Sequence, residues 1–169
     1  MATLSGARGV RYVKTGQIRA ALMTHQDVDD ASALPGLLAQ IPADEPIDTI
    51  GGDGACDTKH CHTVIAGRGA TPSIPPREGA KPLSEGTPGA SWRNEAIDDI
   101  AQDGRGEWKK RSGYHRRSLI ENPMYRYKTL TGDCLSARCI GSQATEVAIR
   151  VGIVNHMVTL ARPQSVRIA

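Results

Sequence analysis

Four residues in the stretch YHRRSLIENPMYRYK carry the strongest chemical signal in this chain: Tyr114, Arg117, Glu121 and Lys128. On an ideal helix advancing about 100° per residue they fall in a stripe roughly 60° wide, while Leu119, Ile120, Met124, Tyr127 and Leu130 gather on the opposite side. One face is suited to packing and the other to chemistry. A carboxylate between two cations, with a phenol at the start, suits a metal ion on the carboxylate and phosphates on the cations. The four-residue separation of Arg117 and Glu121 also fits an ordinary surface ion pair, supporting the helix by about 0.2–0.5 kcal/mol.

A second acidic signal lies upstream. Ile47 to Gly51 reads as a short buried strand running into Gly51, Gly52, Asp53 and Gly54. An acid at the C-terminal tip of an α/β strand, among glycines that let a ligand approach, is well placed for a site. A turn aspartate is the alternative reading. The formal charge of +3 is modest, so affinity for nucleic acid has to come from local clustering. Lys109, Lys110, Arg111, Arg116, Arg117, Arg126 and Lys128 supply such a cluster. Cys56 and Cys61, with His60 and His62 beside them, and Cys134 and Cys139 have spacings that allow a structural zinc site, although the gap is wider than the usual two residues. Separate buried or incidental thiols are the other reading.

These residues need elements to position them. Met1 to Lys14 show no period and read as a frayed or disordered start. Gln17 to Met23 suits a strand. Asp27 or Asp29 caps a helix to about Gln40, with Val28, Ala31, Leu34, Leu37 and Leu38 on one face and Pro35 bending or splitting it. Thr58 to Gly67 reads as a helix and Thr71 to Ile74 as a strand. Arg77 to Gly89 reads as a mobile loop of the kind that closes over a substrate. Trp92 to Asp103 returns to helical spacing through Trp92, Ala96, Ile97 and Ile100, and Gly104-Arg105-Gly106 breaks it. Gly132 ends the helix bearing Glu121. A last helix opens over Ser142 to Glu146, runs strongly apolar to Pro163 and should be largely buried. Strands alternating with helices point to an α/β fold, and 169 residues suffice for a single domain over 1–169.

Tyr114, two residues, Arg117, three residues, Glu121, six residues, Lys128 resembles the Y-(2)-R-(3)-E-(6)-K signature of bacterial insertion-sequence DDE transposases of the IS-four/IS-five group. The wording from Asp48 through Leu130, and again over GSQATEVAIRVG, resembles the IS-five branch, so the resemblance runs from about Gly16 onward. It implies an RNase H-like catalytic domain, a mixed sheet flanked by helices, incomplete here at its N-terminal strands. In GDGACDT it makes Asp53 the second catalytic Asp and Glu121 the third carboxylate, both ligands of Mg²⁺ or Mn²⁺ for in-line attack at phosphorus. Arg117 and Lys128 would contact DNA phosphates, with Lys109, Lys110 and Arg111 adding a basic patch, and Tyr114 would orient a sugar or phosphate near the scissile bond. The first Asp is assigned to no residue. Tyr12 to Ala20 resemble the hairpin that follows its strand, so the chain reads as N-terminally truncated and inactive alone. Cys56 replaces an aromatic of the family pattern. Pro123 falls inside the helix, at a cost of about 3 kcal/mol, or else sits in the first turn of a late-starting one.

The implied partners are insertion-sequence ends and target DNA, with a homodimer or a full-length transposase as protein partner. The alternatives are a remnant that binds DNA or transposase without catalysis, and a small zinc-stabilised domain. Phe is absent and aromatics make up 4% of the chain, so Leu, Ile, Val and Ala must form the core, and marginal stability is expected. No segment approaches the roughly 18 apolar residues of a membrane span, and the start lacks a signal-peptide pattern. A cytoplasmic, nucleoid-associated location with reduced thiols follows as the expectation.

Overall fold

In the computed structural model, which describes residues 2–3, 7–11, 17–25, 27–114, 125 and 127–160, the chain is a mixed α/β protein of small sheets flanked by helices. It divides into two compact units, Asp27–Leu119 and a second made of Met1–Gln26 with Ile120–Ala169. Glu121, Arg117 and Pro123 lie outside the described residues, as do the other members of 115–124 and Arg126.

In the Asp27–Leu119 unit, α1 (Asp30–Leu38) starts at Asp29, whose carboxylate accepts from the Ser32 N–H at 2.6 Å. The helix continues through Pro35, and the Pro35 carbonyl accepts from the Ala39 N–H at 2.9 Å. Ala31, Ala33, Leu34, Leu37, Leu38 and Ile41 are buried. The chain then forms β4 (Thr49–Gly51), a 3-10 turn (Gly54–Cys56), α2 (Lys59–Gly67) and β5 (Thr71–Ser73), and β5 pairs in parallel with β4. Thr58 caps α2, accepting from the Cys61 N–H at 3.1 Å, and Gly69 at φ +71 turns the chain out of it. Arg68 donates to the carbonyls of Ile41, Pro42, Ala43 and Glu45, which holds the loop before β4. Ile50, Cys61, Ile65, Ala70 and Ile74 are all buried.

The segment from Arg77 to Gly89, expected to be mobile, is tied to the following helix, α3 (Ala90–Arg111). The Asn94 side chain accepts from the Leu83 N–H at 2.8 Å and donates to the Leu83 carbonyl at 2.9 Å, mimicking a strand pairing. The break expected at Gly104 is present: its φ of 83 and ψ of 157 are not helical and separate two helical segments within Ala90–Arg111. A straight helix would set residues 99 and 111 about 18 Å apart. Because the chain turns at Gly104, the Arg111 guanidinium reaches both Asp99 at 3.0 Å and Asp103 at 2.7 Å.

In the other unit, β1 (Ala2–Thr3) pairs antiparallel with β6 (Cys134–Leu135), and β2 (Ala7–Arg11) pairs antiparallel with β3 (Ile18–Met23) through a bulge between Val10 and Arg11. The stretch read as an unstructured start therefore contains two strands, ordered by pairing that no local periodicity announces. Residues 127–131 are helical and end at Gly132, whose φ is +84. The last helix, α4 (Ile140–Leu160), starts before Ser142. Tyr127, Leu135, Val147 and Val154 form the core, with Ile18, Ala21, Met23 and Val151 packed against it. Asn155 joins α4 to β3, its side chain accepting from the Ile18 N–H and donating to the Ile18 carbonyl, both at 2.8 Å. The expectation of a largely buried last helix fails, because Ile149, Ile153, Met157 and Leu160 are exposed. Only one stripe, Gln143, Val147 and Val154, goes inward.

Candidate active site

Asp53 stands just beyond β4, in extended conformation with φ −85 and ψ −178. Its Oδ1 accepts from the Ala55 N–H at 2.9 Å, so the carboxylate caps the 3-10 turn while its side chain stays half-buried at the strand's C-terminal tip. The chain before it has no room for a side chain. A Cβ at Gly52 would lie 2.9 Å from the Cys56 Cβ and 3.0 Å from its sulfur. Cys56 thus fills the space against Gly52. The neighbouring Cys61 thiol, with burial and the Asp53 charge adding, pushes the Cys56 thiol up, and Cys56 in turn draws Cys61 down.

The turn after Asp53 is held by a network that sequence reasoning missed. Asp57, with its side chain 1% exposed, accepts from the Arg93 Nε at 2.6 Å and Nη2 at 3.2 Å, from the His62 Nε2 at 3.1 Å and from the Arg77 backbone N–H at 2.9 Å. Arg93 also donates to the Lys81 carbonyl at 2.5 Å. The Arg77 side chain turns back onto the turn, Nε donating to the Gly54 carbonyl and Nη2 to the Ala55 carbonyl, each at 2.8 Å. The two residues following Asp53 are therefore clamped by one guanidinium whose own backbone is fixed by Asp57. The one local signal was the second Asp of GDGACDT, and nothing near it in sequence announces partners 20 and 36 residues away.

Burial alone would raise the Asp57 pKa, but hydrogen bonds from His62 and Arg93, with the Arg77 N–H, outweigh it and hold the carboxyl well below the usual carboxylate range. Its folded value lies below its unfolded value of about 3.9, so its stabilisation is present above that value and lost as pH falls toward the folded one. The Asp57 contribution to the urea midpoint should be constant above about pH 5 and fall below about pH 4. The acid limb should be shallower in Asp57→Asn, and limbs of equal steepness would exclude Asp57 as its source.

Among the described residues no group of three or more His, Cys, Asp or Glu comes together as a metal site. Among the described residues the cysteines form no disulfide, His62 spends its Nε2 on Asp57, and no group of three ligands assembles around Cys56 and Cys61. Asp53 is the single described member of the carboxylate pair, since Glu121 lies outside the described residues.

The basic patch differs from a bare row of cations. Lys110 pairs with Glu107 at 2.6 Å, Arg111 pairs with Asp99 and Asp103, and the Lys109 Nζ lies 5.6 Å from the Tyr114 ring centroid. Tyr114 also packs on Trp108, with centroids 5.9 Å apart and planes tilted by 40°. Lys109, Lys110 and Arg111 occupy the last turn of α3, where cations favour the carbonyl end of the helix. Exposed pairs of this kind exchange readily for phosphate. In the other unit Lys128 is exposed on the helical turn whose neighbour Tyr127 is buried, as the two-faced pattern requires; Leu130, expected on the packing side, is 50% exposed.

A family model described as transposase DDE domain matches residues 13–156. No solved structure matches the chain.

Proposed function

The chain belongs to the transposase DDE domain family, and from that premise we propose that it is an insertion-sequence transposase domain of the IS-five branch, RNase H-like in fold, built for metal-dependent phosphoryl transfer at DNA ends but inactive alone. The observation that carries this reading is the position of Asp53, a half-buried carboxylate at the tip of a parallel strand on a turn clamped by Arg77. Its donor set fits the ion, since carboxylate oxygens are the hard ligands that Mg²⁺ or Mn²⁺ takes. Asp53 and Glu121 would hold the metal, which when bound supplies Lewis-acid stabilisation at phosphorus. Arg117, Lys128, Lys109, Lys110 and Arg111 would neutralise phosphates, and Tyr114 would position the strand near the scissile bond. With the match running through both units, we read them as a single catalytic domain with insertion-sequence ends and target DNA as partners, working as a homodimer or with full-length transposase. Among the described residues no helix is long and apolar enough to cross a membrane, and we place the protein in the cytoplasm at the nucleoid.

Two assays test the reading. Mn²⁺ titrated into the protein with DNA present should bind at least about tenfold more weakly to Asp53→Asn, because losing one of two proposed carboxylates removes a ligand charge. Equal affinity would overturn the metal role of Asp53. With two proposed carboxylates and no third assigned, strand transfer by the polypeptide itself should stay below detection, since groups that act as a unit lose nearly everything together. Strand-transfer products that vanish in Asp53→Asn would overturn the inactivity and leave the role of Asp53 standing.

A further inference from the structure

Beside the Asp53 turn an open cleft of about 510 Å³ is lined by Gly54, Pro75, Pro76, Arg77, Glu78 and Arg105. Two prolines in its wall offer no backbone N–H, and the charged donors of the lining are the Arg77 and Arg105 side chains. Arg77 is already oriented: its Nε and Nη2 are spent on the Gly54 and Ala55 carbonyls, and among the described residues its Nη1 makes no hydrogen bond. Arg105, one residue past the kink at Gly104, also lines the cleft and makes no hydrogen bond or ion pair among the described residues. The lining carries two guanidinium groups against one carboxylate, Glu78. A kink with φ 83 places Arg105 at a wall that a continuous helix would carry elsewhere.

We infer that this cleft is a phosphate subsite for the DNA strand approaching Asp53, with Arg105 as its principal contact and Arg77 as a preoriented second one. The inference rests on the transposase reading and adds two residues that neither the signature nor the basic patch contains. Planar guanidinium groups suit phosphodiester oxygens, and a group bound against Gly54 lies next to the carboxylate that would hold the metal. Arg77 positions the turn as well as the strand, whereas Arg105 holds no protein group, so the two should separate under mutation.

The test is the dependence of duplex binding on salt, measured on the full chain. Each phosphate contact contributes about 0.9 to the slope of log affinity against log salt. Arg105→Gln should flatten the slope by about one unit, Arg105→Lys should restore it, and both should melt in urea like the parent. In the parent, DNA should also protect Arg105 from an arginine-specific dicarbonyl several-fold by peptide mapping, and inorganic phosphate should protect it far less. A parent slope that Arg105→Gln leaves unchanged, or equal modification with and without DNA, overturns the subsite while leaving the transposase reading intact. A parent that shows no salt-dependent binding overturns both.

Discussion

Replacing Arg93 with methionine should destabilise the Asp27–Leu119 unit by about 3–5 kcal/mol, the cost of leaving a buried carboxylate without its cation. Asp57 would keep the His62 ring and the Arg77 N–H but lose two guanidinium bonds in a place where water does not reach. A methionine fills comparable volume, so little of the loss would come from packing. The chain's two tryptophans, Trp92 and Trp108, both lie in this unit, so tryptophan fluorescence in urea reports its unfolding. The double variant Asp57→Asn with Arg93→Met should recover part of the loss, because the neutral amide still accepts from Arg77 and no longer demands a counter-charge. A loss below about 0.5 kcal/mol for Arg93→Met would place the pair in water, as surface pairs behave. The consequence reaches Asp53, since Arg77 clamps the turn only while Asp57 fixes the Arg77 backbone.

What the sequence made legible was local. The N-cap Asp29, the short strand into Asp53 and the glycine exit at Gly132 each follow from chemistry within four residues. Asp57 and Arg93 were not legible because their partners come together only after folding. In α3 the expected inward set led with Trp92, yet Trp92 is 37% exposed and its neighbour Arg93 is buried, while Ala96 of that set is buried as expected. Asp57 decides that exchange, since a buried carboxylate needs its cation more than a large ring needs full burial. Helix α4 failed for the opposite reason. Apolar on nearly every side, it does not say which side faces the core, and Gln143 takes a buried position where its amide donates to the Ala137 carbonyl. Composition misled over Arg77 to Gly89, where proline and glycine suggested mobility that Asn94 and Arg93 suppress.

The residue just before α3 carries the second large effect. Gly89 has φ +81, a conformation that costs an alanine about 1 kcal/mol relative to glycine. Strain is the smaller part. A Cβ there would lie 2.5 Å from the His62 carbonyl oxygen and 2.9 Å from its carbon. Both are backbone atoms of α2, so no side chain can rotate aside and the start of α3 must move. Overpacking of this kind costs about 1–3 kcal/mol, giving an expected loss of about 2–4 kcal/mol for Gly89→Ala. Gly79 supplies the comparison, with φ +69 and nothing within 4 Å of where a methyl would stand, so Gly79→Ala should lose only the conformational part, about 1 kcal/mol. Movement at Gly89 would pass four residues along α3 to Arg93, so the acid limb attributed to Asp57 should shift in Gly89→Ala and stay in place in Gly79→Ala. Equal urea midpoints for the two alanine variants would show that the close approach of α3 to His62 does not hold in solution, and the anchoring of the Asp53 turn through Arg93 would fall with it.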